Sequence, residues 1–87
     1  MEKEYILSFS SFYKAASAQD MLEAAGIRAT LRKLPTELVR SCGTGLYLRT
    51  NSIQPALDVF DRKNIVPRGV YEVSRQGKGQ REYRKVR

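Results

Sequence analysis

Apolar and polar positions along this chain change period several times, and each change marks an element. Tyr5 to Phe9 is a continuous apolar, β-prone run and predicts a strand. Ser10 and Ser11 follow it as good helix caps. From Phe12 to Ala25 the apolar residues Ala15, Ala18, Met21, Leu22 and Ala25 recur at helical spacing. Gly26 stands where a helix-ending residue belongs. Ile27, Ala29 and Leu31 then alternate with Arg28, Thr30 and Arg32, the period of a half-buried strand that Pro35 closes. Thr36 to Ser41 suits one short helical turn. Leu46 and Leu48 alternate with Gly45, Tyr47 and Arg49 in a third strand. Asn51 or Ser52 caps a second helix with Ile53, Ala56, Leu57 and Phe60 on one face and Pro55 in its first turn. Val70 to Val73 predicts a fourth strand.

The order β-α-β-β-α-β, with right-handed crossovers, predicts an α+β fold of the ferredoxin-like kind. Two helices lie on one face of a four-stranded antiparallel sheet. Strands one and three are then antiparallel neighbours. Four loci meet at one end of the sheet: Ser8 to Phe12, Ser41 to Gly45, the end of helix two, and Val66 to Gly69. The chain leaves strand four at the opposite end.

Composition refines this picture. The 87 residues fit one domain, and a single Cys with no His rules out disulfide staples, tetrahedral zinc and His-based triads. The chain carries 16 Lys+Arg against 9 Asp+Glu, a net charge of +7. The excess is uneven. Residues 74–87 hold six cations (Arg75, Lys78, Arg81, Arg84, Lys85, Arg87) and one acid, Glu82, whereas residues 1–73 are nearly neutral. The division expected is therefore a folded domain over 1–73 and a basic, disordered tail over 74–87. Such a tail would take a polyanion without a sequence code, as non-specific nucleic acid or an acidic partner. The apolar edge of helix two and strand four leaves room for a homodimer. The N-terminal residues show no export signal and no membrane-spanning run, which, with a free thiol, points to the cytoplasm.

Cys42 is the residue with chemistry to offer. It stands in Arg40-Ser41-Cys42-Gly43-Thr44-Gly45, a small-residue segment at a strand entry. A thiol becomes a nucleophile when backbone amides, a helix N-terminus or cations stabilise its thiolate. Gly43 and Gly45 admit backbone N–H groups close to it, and Ser10 and Ser11 mark the start of helix one. Lys14, Arg40 and Arg68 supply positive charge. No general base adjoins it, so acyl-transfer chemistry is disfavoured. What remains is one-thiol chemistry: a persulfide, a selenosulfide or a mixed disulfide, with no metal and no bound cofactor. The competing reading is an inert, buried thiol in a structural adaptor.

A resemblance bears on this choice. Ile6-Leu7-Ser8-Phe9 before a Ser-led helix, Ala24-Ala25-Gly26-Ile27, Leu34-Pro35 and Ser41-Cys42-Gly43 together resemble the Putative Se/S carrier protein-like family of small bacterial domains, over Tyr5 to Val73. The resemblance implies that Cys42 carries sulfur or selenium between donor and acceptor proteins, as a thiol carrier rather than a stand-alone enzyme. Where that family often has a basic residue after the proline, this chain has Thr36-Glu37. Gly43-Thr44-Gly45 before an apolar strand also invites comparison with RNA-recognition domains. Aligned on the glycines, however, the base-stacking positions fall on Thr44 and Leu46, neither aromatic. Tyr5 and Tyr47 are accordingly read as half-buried sheet aromatics.

Overall fold

The computed structural model describes residues 3–35, 43–76 and 80–87. The elements are β1 (Lys3–Ser8), α1 (Phe12–Ala24), β2 (Thr30–Lys33), β3 (Thr44–Thr50), α2 (Gln54–Lys63), β4 (Gly69–Gln76) and β5 (Gln80–Lys85). The strands form one antiparallel sheet in the order β2-β3-β1-β4-β5. Among the described residues the fold is α+β with two helices, as the periodicities predict, but the sheet has five strands rather than four. β1 and β3 are antiparallel neighbours, with Ile6 opposite Tyr47 and Ser8 opposite Gly45. The short turn expected over Thr36 to Ser41 lies outside the described residues.

The fifth strand corrects the expectation of a disordered segment after Val73. β4 continues through Ser74 to Gln76, and β5 returns alongside it, with Val73 opposite Tyr83 and Tyr71 opposite Lys85. Residues 80–85 contain few aliphatic side chains, which is why composition alone reads them as tail. A strand added to an existing edge needs only backbone partners and one covered face. Tyr83 supplies the cover by packing with Val73, Tyr71 and Tyr47 around Ile6.

α1 begins because Ser11, in extended conformation, accepts a hydrogen bond at its Oγ from Lys14 N–H (3.2 Å). It ends in a Schellman arrangement. Gly26 has φ of +81°, its N–H reaches Glu23 O (3.0 Å), and Ile27 N–H reaches Leu22 O (2.8 Å). Ser11→Ala is expected to cost about 1 kcal/mol, read as a lowered urea midpoint at unchanged slope. α2 starts one residue later than its predicted cap implies. Ile53 is the cap and makes no side-chain bond, while Ser52 Oγ accepts from Gln54 N–H (3.3 Å). Asn64 ends the helix in the left-handed region, and Arg62 and Lys63 complement the negative end of the dipole.

Both helices pack on one face. Ala15, Ala18 and Leu22 of α1, and Ala56, Leu57, Val59 and Phe60 of α2, meet Tyr5, Leu7, Leu46, Leu48 and Val70. Phe9 and Phe60 join edge to face with centroids 6.2 Å apart. Tyr5 is thus fully buried beneath the helices, not half-buried. The opposite face carries a thinner layer, in which Ile6 is sealed by Leu34, Tyr47, Tyr71, Val73 and Tyr83. β1 is covered on both sides, so Tyr5 to Ser8 are all buried.

Candidate functional site

The antiparallel registers bring the described parts of the four predicted loci (of the Ser41 to Gly45 locus, Gly43 to Gly45) to one end of the sheet. Ser8 ends β1 opposite Gly45 of β3 on one side and Gly69 of β4 on the other. Arg68 N–H donates to Ser8 O (2.8 Å), and Ser8 Oγ donates to Gly69 O (3.5 Å). Gly43 O accepts from Leu34 N–H (2.7 Å), closing the β2–β3 pair at the same end. α1 starts here, at exposed Ser10 and the capping Ser11, and α2 finishes here. Lys14, Ser17 and Phe9 share a cleft of about 340 Å³ with Asn64, Ile65 and Val66. Of the residues expected to shape the thiol site, Ser10, Ser11, Lys14, Gly43, Gly45 and Arg68 are therefore neighbours at this end. Arg40, Ser41 and Cys42 lie outside the described residues.

Gly45 has a second task. A Cβ there would stand 2.5 Å from Leu7 O and collide with Leu34 Cδ2. Its neighbours require a glycine whatever happens at residue 42. Among the described residues a Cβ at Gly43 meets nothing within 4 Å.

The four-strand pattern predicts that the basic segment leaves strand four at the far end, away from the strand-three entry. The chain does leave β4 at that end, at Gln76, but β5 runs back and carries residues 85–87 to the end holding Gly69. Val86 N–H donates to Val70 O (2.7 Å), and Arg87 Nη2 reaches Asp61 Oδ1 at 2.9 Å. Lys85 and Arg87 share a cleft of about 200 Å³ with Phe60, Val66, Pro67 and Arg68. The segment is also no free polycation, since Arg84 pairs with Glu72 at 3.1 Å and Arg87 with Asp61. Arg75 and Arg81 are partners in the β4–β5 register, and Lys78 lies outside the described residues.

One feature of this end has no signal in the helical or strand periodicity. Among the described residues the exposed large hydrophobics are Phe12 (55%), Tyr13 (85%), Val66 (84%) and Val86 (43%). All four fall at the end holding Gly43. The predicted helix includes Phe12 and Tyr13, but nothing in their spacing tells that they face water. The end thus combines the orphan N–H groups of the α1 terminus, the cations Lys14 and Arg68, and an apolar rim.

Among the described residues no three His, Cys, Asp or Glu side chains gather as a metal site. Nor is any helix among them long and apolar enough to cross a membrane. Comparison with curated proteins and with solved structures finds no match. A family model does match, over residues 4–72, from β1 into β4 and across the Ser41-Cys42-Gly43 segment. The chain belongs to the family described as Putative Se/S carrier protein-like.

Proposed function

We propose that this protein is a sulfur or selenium carrier whose carrying group is the Cys42 thiol, working with donor and acceptor proteins in the cytoplasm. The observation that carries the reading is the family match, which spans residue 42. The convergence of Gly43, the α1 start and Arg68 at one end of the sheet supports it. The frame is read as ferredoxin-like βαββαβ with β5 added at its edge.

In the loading step the Cys42 thiolate attacks the outer sulfur of a donor persulfide. The donor S–S bond breaks, the donor thiolate leaves, and Cys42 holds the new S–S bond and its terminal anion. No electrons are gained or lost overall. Selenium loads in the same way from a donor S–Se group. Delivery repeats the step, with an acceptor attacking the outer atom and Cys42 leaving as thiolate.

Reduced protein incubated with glutathione persulfide is expected to gain one sulfur atom by intact mass, and Cys42→Ser none. Equal gain by the variant, or no gain by the wild type, refutes the carrier reading. The apolar rim yields a separate prediction. Tyr13→Ser with Val66→Ser should slow loading from a protein persulfide donor several-fold while leaving loading from glutathione persulfide unchanged, measured by mass at timed quench. Equal slowing with both donors would exclude partner docking at this rim.

A further inference from the structure

The face of the sheet opposite the helices is a second surface, distinct from the end that carries the candidate site. The registers place Tyr47 and Tyr71 on this face, on either side of Ile6 and two strand spacings apart, about 10 Å. A Cβ at Gly69 would stand 2.7 Å from Tyr71 Cε2 and Oη, so the Tyr71 ring lies down against the Gly69 backbone. The Arg32 guanidinium sits over the Tyr47 ring, 5.3 Å from its centroid. The ring is held from its far end as well, since Tyr47 Oη donates to Lys33 O (2.7 Å). Both rings are half-buried and none of the buried helix residues packs on this side.

The charge on this face is one-sided. A cleft of about 540 Å³ at the β2–β3 side is lined by Arg28, Arg32 and Arg49 together with Thr30 and Tyr47, and one acid, Glu4, enters it. Glu4 and Arg49 approach to 3.6 Å, which leaves two further arginines at the cleft. At the other side exposed Lys85 stands opposite Tyr71. The acids of β4 and β5, Glu72 and Glu82, alternate onto the helix-side face.

From these placements we infer that the open face binds single-stranded nucleic acid. Unpaired bases stack on Tyr71 and on the Arg32–Tyr47 pair, Arg28 and Lys85 meet phosphates, and Arg49 meets a third by exchanging Glu4 for it. Flat rings and a guanidinium plane engage the faces of bases, which a duplex conceals and an acidic peptide lacks. Aligning on Gly43 and Gly45 misses this surface because Leu46 points to the helices, whereas its neighbour Tyr47 points to the open side.

Fluorescence anisotropy with a labelled decauridylate tests the inference on the full chain. Affinity is expected to fall with added salt, with a log–log slope of about −2 to −3 for three or four phosphate contacts. Tyr71→Leu keeps an apolar cover over Ile6 and removes the ring, and should weaken binding roughly 5- to 100-fold. Arg32→Glu should weaken it at least as much, and Lys63→Glu, the same charge change on the exposed end of α2, far less. Four results would overturn the inference: no binding by the wild type, equal losses from Arg32→Glu and Lys63→Glu, equal affinity for a duplex of the same length, or equal competition by polyglutamate.

Discussion

Gly45→Ala is expected to cost about 3 kcal/mol and to lower the melting temperature by roughly 10–20 °C. The added methyl would stand 2.5 Å from Leu7 O and run into the Leu34 side chain. Leu34 can turn away, but in doing so it uncovers Ile6 beneath it. Leu7 O cannot give, because Leu7 lies in the middle of the sheet between Leu46 of β3 and Val70 of β4. The β1–β3 ladder must therefore open locally. A domain of this size has about 4–13 kcal/mol in total, so this loss removes a large share of its stability. Gly43→Ala is the matched control. Among the described residues nothing lies within 4 Å of its added methyl, and its melting temperature should stay within a few degrees of wild type. Thermal unfolding followed by circular dichroism checks the pair, and equal midpoints for the two variants would exclude the close approach at Gly45.

The same contrast separates what the chain's pattern reveals from what it hides. Helical spacing of Ala15, Ala18 and Leu22, and alternation about Leu46 and Leu48, are consequences of one-sided burial, so the pattern by itself locates α1 and β3. Gly26 is legible for a similar reason, since a helix followed by glycine has one common solution at its end. The convergence of Ser8, Gly45 and Gly69 follows from strand order, and strand order follows from the crossovers. β5 is hidden because its stabilisation comes from the partner strand rather than from its own composition. The reversal of residues 85–87 to the candidate-site end is hidden with it. Tyr5 and Tyr47 illustrate a finer limit. Both read as half-buried sheet aromatics, and only the cross-strand register tells that one lies under the helices and the other on the open face. The candidate thiol is legible from its loop composition and from the family resemblance, whereas the apolar rim of Tyr13 and Val66 has no period to betray it.

Ending the chain after Ser74 is expected to destabilise the whole sheet rather than trim an appendage, lowering the melting temperature by roughly 10 °C or more. Such a fragment loses the ladder from Tyr71↔Lys85 to Ser74↔Glu82 and the Val86–Val70 bond. Glu72 loses Arg84 and keeps only Lys3, 3.7 Å away. Tyr83 no longer covers Val73, and Asp61 loses Arg87. β4 then becomes an unpaired edge carrying Val70, Tyr71 and Val73, a template for pairing with a second chain. Sedimentation velocity should therefore show a larger share of dimers or higher species than the intact protein shows at the same concentration. A fragment that stays monomeric and melts where the parent does would mean that β5 is dispensable to the fold. The matched variant Arg84→Gln with Lys85→Gln removes two charges and keeps the strand, and should shift the midpoint by only a few degrees, since exposed ion pairs contribute about 0–1 kcal/mol. The pairing bears on every functional test of this region. Loss of persulfide loading or of nucleic-acid affinity on truncation would report the loss of β5 as a structural edge, so the contribution of these cations has to be read from substitutions in the full chain.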